Sequence, residues 1–295
     1  MSRARLGRLP GWRCLSSLPW ETDLRTVWEV VEAHARNGRR QGSTPDSLCL
    51  SWSTLARLAS EPREWQRVQK EPKILSPLAA DTELALPDFD ARALATTVSG
   101  VASLHVAGWR ASGALWAGLA KHCTRSVATM SAHELSSTVL CFAKVGRKPS
   151  PLFDAIAEEA TPRLGEFTPQ DLAKTAWAFA AADRPAPALF GGDVFASRCA
   201  AEDGFEPENL RQLHQWQLWQ EESGAAWPPL PPELAQRCRD AFCQAEGVPS
   251  ELQRDVAVSL RALGLVHRQM ERSSLGYHLD FVVSHGGTLT PALAP

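Results

Sequence analysis

A chain of 295 residues that is 44% hydrophobic has room for a sizeable core in one large or two ordinary domains. With 31 Lys+Arg against 33 Asp+Glu the formal net charge is -2, so no global field draws the molecule to nucleic acid or membrane, and an anionic partner must be met by a local face. The seven cysteines (Cys14, Cys49, Cys123, Cys141, Cys199, Cys238 and Cys243) are odd in number and contain no CxxC pair. That argues against a disulfide framework and a zinc site, and fits small buried thiols in a reducing compartment.

The first 20 residues carry Arg3, Arg5, Arg8 and Arg13, several serines and no acid before Glu21. This is the composition of an organelle transit peptide or, equally, of a disordered basic tail. The longest charge-free apolar run starts at Ala93, is broken by Thr, Ser, Gly and His105, and is too short to span a bilayer. No membrane partner is expected.

Glu21 to Arg36 has helical periodicity through Leu24, Val27, Val31 and Ala35, followed by a polar loop from Asn37 to Asp46. A second helix is predicted over Ser47 to Ser60, with Leu48, Leu55 and Leu58 apolar. Glu61 to Pro87, holding Trp65, Val68, Ile74, Leu75 and Leu78, reads as a degenerate partner helix and a linker.

From Asp88 a repeat becomes visible, and Phe167 to Phe190 is its clearest copy. Thr168 is placed to cap a helix and Pro169 sits at its first position, where a missing N–H costs nothing. Leu172, Ala176 and Phe179 lay one apolar face along that helix, and the prolines between Asp183 and Pro187 end it before a second helix begins. Leu172 anchors an alignment with Leu94, Leu135 and Leu210, the successive separations being 41, 37 and 38 residues. Five positions before the anchors stand Phe89, Met130, Phe167 and Phe205, which suits a hydrophobic staple. Three after them stand Thr97, Thr138, Thr175 and, breaking the column, Leu213. Leu48 fits the anchor column less securely.

The fourth unit, Leu210 to Glu222, packs Leu and Trp at helical spacing and reads as a closing cap, with a Pro-rich break over Trp227 to Pro232 and another short helix over Glu233 to Glu246. A different module opens at Pro249: a helix through Leu252, Val256, Leu260 and Leu263, stopped by Gly264, and then one β-type run from Tyr277 to Val283 with Asp280 in its middle. The resulting organisation is residues 1–20 as leader or tail, 21–87 as N-terminal helices and a degenerate repeat, 88–246 as hairpin repeats, and 248–295 as a truncated α/β segment. The fold class is all-α, a helical-hairpin repeat solenoid wound as a right-handed superhelix, with a short, incomplete α/β element at the C-terminus.

The signature PQDLAKTAWAFA at Pro169 to Ala180, with weaker copies at Ala132 to Ala143 and Ala91 to Ala102, resembles the helical repeats of octotricopeptide-repeat and FAST-kinase-like organellar proteins. LRQLHQWQLWQEE, and PSELQRDVAVSLRALG followed by GYHLDFVV, resemble what precedes and opens a RAP domain in the same proteins. The resemblance covers Ser47 to Val283 and implies an RNA-binding protein of mitochondria or chloroplasts (the alternative location being the cytoplasm), acting in RNA processing, stability or translation. It also implies that a complete C-terminal module would be restriction-endonuclease-like. Asp280 matches the first acidic position of that module, but the Glu-Val-Asp-Gly type strand is absent, so a two-carboxylate metal site cannot be assembled and nuclease activity is not expected.

The common short catalytic motifs (GxxxxGK, GxSxG, HExxH) do not occur, and neither His122 beside Cys123 nor the pair Cys238 and Cys243 belongs to a four-ligand set. No catalytic residue, cofactor or metal is expected. For RNA, a solenoid needs polar side chains recurring on one helix face. Arg92 and Thr96, His133 and Ser137, Gln170 and Lys174, and Gln212 in the fourth unit stand two before or two after their anchors, on a face away from the anchor leucine. These seven are the candidate contacts to single-stranded RNA, an organellar transcript or rRNA. Trp177, Trp216 and Trp219 read as core, with base stacking as an alternative use. The competing reading is a protein-binding scaffold without catalytic activity, which the near-neutral charge favours.

Overall fold

The computed structural model describes residues 25–41, 43–244, 251–272, 278–285 and 288–292. The basic N-terminal stretch, Pro249, Ser250 and Tyr277 lie outside the described residues. The chain divides into two compact units, one up to Glu159 and one from Ala160.

The first unit holds α1 (Val27–Gln41), α2 (Pro45–Leu58), α3 (Pro62–Lys70), α4 (Ser76–Ala85), α5 (Ala91–Val106), α6 (Gly113–Ser126), α7 (Ala132–Lys144) and α8 (Ser150–Ala160). α2, α5 and α7 pack side by side as a row, while α4 and α6 pack on each other in a second layer. The anchors Leu48, Leu94 and Leu135 are wholly buried between these layers, with Leu55, Val98, Val139 and Phe142. Each such side chain contributes roughly 1.5–3 kcal/mol by leaving water. Gly100 of α5 lies against Trp52 of α2, so close that a Cβ there would stand 2.8 Å from the Trp52 Cβ and 2.9 Å from its backbone.

The repeat is set by its helix ends. Asp90 caps α5, Ser131 and Glu134 form a reciprocal capping box on α7, and Thr44 and Ser47 do the same on α2. α5 and α7 both stop at a glycine with positive φ, Gly108 (110°) and Gly146 (69°). The next N–H then closes back on the helix, from Trp109 to the Leu104 carbonyl and from Arg147 to the Phe142 carbonyl, both at 2.9 Å. In α5 that carbonyl lies 10 residues past the anchor; in α7 it lies seven past. One extra turn in α5 therefore supplies most of the difference between the 41- and 37-residue spacings.

The second unit holds α9 (Pro169–Ala181), α10 (Pro187–Phe190), α11 (Asp193–Ala200), α12 (Pro207–Ser223), α13 (Pro232–Cys243) and α14 (Glu251–Ala262), then β1 (His267–Arg272), β2 (His278–His285) and β3 (Thr288–Ala292). α9, α12 and α13 are neighbours in a row. Thr168 caps α9 in a box with Asp171, and Pro169 takes the first turn, as the sequence predicts. The second helix of this hairpin is split at Gly191, where a Cβ would stand 2.5 Å from the Pro187 carbonyl oxygen. Its core is aromatic: Phe190 meets Phe179, Phe195 and Trp216 at centroid distances of 5.6, 4.9 and 5.3 Å.

The architecture is all-α helical hairpins with a small C-terminal α/β element, and two details differ from expectation. The polar segment from Asn37 is helical as far as Gln41, which shortens the loop before α2. The C-terminal element has three strands rather than one, an antiparallel sheet in the order β1-β2-β3, with Gln269 opposite Phe281 and Val283 opposite Thr290. β1 (HRQMER) shows no apolar alternation, and β3 carries Pro291, which sheets accept on an edge strand such as this one.

Candidate functional site

In the first unit the outward stripe of α5 is Arg92, Thr96, Ser99 and Ser103, and on α7 the matching positions are His133, Ser137 and Lys144, with Leu140 between them buried. Arg92, His133 and Lys144 are exposed; Thr96 and Ser137 are half-buried. The Ser137 hydroxyl lies 3.5 Å from His133 Nε2, one helical turn away.

In the second unit Gln170 is half-buried, whereas Lys174 and Gln212 are 9% and 8% exposed and therefore do not lie on an open outer face. The physical reason is positional. Residues two after the anchor turn toward the flank where first helices abut, and α12 is flanked by both α9 and α13. Residues two before the anchor (Arg92, His133, Gln170 and Glu208) stay exposed or half-exposed. On α12 the outward positions are Glu208, Arg211, Gln215 and Trp219.

The carboxylates at α5, α7 and α9 are committed to the helix N-termini. α5 contains no Asp or Glu, its cap Asp90 accepting from the Ala93 N–H at 2.7 Å. In α7 the one acid, Glu134, accepts from the Ser131 N–H at 2.8 Å and its hydroxyl at 2.9 Å. In α9 the one acid, Asp171, is 2% exposed and accepts from the Thr168 hydroxyl at 2.6 Å. On α12 the stripe is mixed: Glu208 pairs with Arg211 at 2.6 Å, and Glu221 and Glu222 are exposed.

The tryptophans separate into two kinds. Trp216 is wholly buried, as expected, but Trp177 and Trp219 are half-buried on the outward side of α9 and α12. Trp177 Nε1 donates to Gln215 Oε1 at 2.6 Å, and Trp219 Nε1 donates to Asp183 Oδ1 at 2.9 Å. Gln215 was missed in the sequence because it breaks no pattern; the signal for it was its place five past Leu210, matching Trp177 five past Leu172.

The chemistry of the buried cysteines is quenched by loss of solvent. Cys123 and Cys238 are fully buried, each thiol pushed up to about 12 by loss of solvent, and Cys49 is raised to about 11 by burial. Among the described residues no group of three or more His, Cys, Asp or Glu is placed to hold a metal ion. Asp280 on β2 accepts a hydrogen bond from Gln253 Nε2 of α14. Among the described residues no helix is long and apolar enough to cross a membrane.

No model of a known protein family matches the chain, and no curated protein matches it.

Proposed function

We propose that the protein is a non-catalytic RNA-binding helical-repeat protein, acting on organellar transcripts or rRNA in processing, stability or translation, in a mitochondrion or chloroplast. The observation that carries this reading is the charge of the first-helix stripes. α5, α7 and α9 hold their acids at their N-caps, and the polar side chains on the outward positions carry no carboxylate: Arg92, Ser99, His133, Lys144 and Gln170. Within each unit such a face meets a phosphate backbone without like-charge repulsion and offers donors and acceptors to unpaired bases. A filter-binding titration with single-stranded RNA tests it, the expected result being retention at low salt that is lost as salt rises. Absence of RNA retention at low salt would sink the reading, and recovery of the endogenous protein outside purified organelles would remove its location.

The second reading, a protein-binding scaffold, is favoured by the net charge of -2 and by the exposed Glu221 and Glu222 on α12. It predicts partner capture that is indifferent to ribonuclease treatment.

A further inference from the structure

Two half-buried tryptophans of the second unit, Trp177 and Trp219, are held by their edges. Trp177 is bonded through Nε1 to Gln215, Trp219 through Nε1 to Asp183, and both bonds join α9 or the residue after its C-cap to α12. Gln215 and Trp219 are one turn apart on α12, so the tethers lie along one seam. An indole whose N–H is satisfied inside the fold has only its π-face to offer a partner. Trp219 is also backed by Trp227, centroid to centroid 5.6 Å.

Asp183 is a second, independent observation. It occupies the left-handed position at the end of α9, φ 51°, where α5 and α7 have Gly108 and Gly146. Arg184 N then bonds the Phe179 carbonyl at 2.9 Å, the same closure that ends the other two helices. Left-handed backbone at a residue with a Cβ costs about 1 kcal/mol, and a solvent-facing hydrogen bond returns no more than about that. Stability alone does not favour aspartate over glycine here; what aspartate adds is a fixed orientation for the Trp219 ring.

Resting on the RNA reading above, we propose that Trp177 and Trp219 form a stacking platform for unpaired nucleobases of single-stranded RNA. Gln215 Oε1 is spent on Trp177, which leaves its Nε2 to donate to a base edge. Prolines of an extended peptide also stack on indoles, but the neighbours on this stripe are the amides Gln170, whose paired donor and acceptor match a base edge, and Gln215, whose Nε2 adds a donor.

The test uses the full chain, a fluorescent unstructured RNA oligonucleotide and an abasic ribose-phosphate oligomer of equal length, read by anisotropy. Trp177→Ala and Trp219→Ala are each expected to weaken RNA binding by about 5- to 150-fold, the range for one base stacked on an aromatic ring, while leaving the abasic oligomer unaffected. Trp219→Phe keeps a ring but not its tether, and Asp183→Gly releases the tether with the helix end intact; both are expected to give smaller losses of the same kind. RNA binding unchanged in all four variants overturns the platform and leaves the RNA reading standing. Wild-type protein that binds neither oligomer overturns both. Variants that lose a polyproline peptide instead of RNA make the occupant a protein and overturn the platform as stated.

Discussion

Asp183 Oδ1 accepts the indole N–H of Trp219 at 2.9 Å, and Asp183 is the non-glycine residue that holds a positive φ among the described residues. The strained backbone and the tethered ring are thus one feature, and they are separable by mutation. Asp183→Gly removes the left-handed penalty and the tether together, so its stability should stay close to wild type. Asp183→Ala keeps the penalty, loses the bond, and should be less stable than Asp183→Gly by about 1 kcal/mol. Urea unfolding midpoints of the two variants check the order, and equal midpoints would show that the backbone is unstrained.

Gly100 is predicted to be irreplaceable for the opposite reason, space rather than φ. Alanine is the better helix former by about 1 kcal/mol, which alone would stabilise α5. Its Cβ, however, would meet the Trp52 Cβ at 2.8 Å and the Trp52 backbone at 2.9 Å, where neither helix can yield without moving. Overpacking of this kind costs typically about 1–3 kcal/mol, so Gly100→Ala should lower the melting temperature despite its propensity gain.

How much of this was legible beforehand follows from which signals are local. The Thr168 cap, Pro169 and the buried anchors Leu94, Leu135 and Leu172 follow from helix periodicity and capping chemistry, and all are found where that chemistry places them. The spread of the spacings needed the αL glycines, because Gly108 and Gly146 mark the ends only once their backbone bonds are known. Lys174 was illegible as a buried residue, since a lysine two past an anchor looks like surface until the neighbouring helix is set beside it. β1 and β3 were missed because pairing with β2, not alternation in HRQMER or TLTPA, makes them strands.

His34 gives the first unit a defined acid response. Its ring is 6% exposed, and burial lowers its pKa below the ordinary 6.5, outweighing the upward pull of Asp81, whose carboxylate lies 3.1 Å from Nε2. The unfolded chain therefore binds the proton more readily than the folded one. Stability should fall as pH drops below about 6.5 and level off once the folded ring is protonated. Urea midpoints at about pH 8 and about pH 5 should differ more in wild type than in His34→Asn. An equal difference in the two proteins would assign the acid sensitivity elsewhere.

The thiols offer a check on packing. Cys123, Cys199 and Cys238 are wholly buried with thiols raised by desolvation, while Cys243 is only half-buried. Among these four, alkylation of the native protein should modify Cys243 first, and the buried three should react at rates set by unfolding. Peptide mass mapping at short labelling times reads this directly; early labelling of Cys199 would contradict the close packing of α11.

The cationic stripe makes a prediction that a merely solvated helix face does not. Lys144 is exposed in the last turn of α7, whose one acid, Glu134, is held at the helix cap, so it is placed to neutralise a phosphate. Arg163 is instead clamped to Glu166, its NH2 and Nε groups 2.8 and 3.2 Å from the carboxylate. Lys144→Ala should therefore weaken RNA binding to a similar degree for any sequence, and it should make the dependence of log affinity on log salt shallower by about one unit. Arg163→Ala should change neither. A salt slope that is the same in both variants and in wild type would place the RNA backbone away from the outward side of α7, whatever the total affinity.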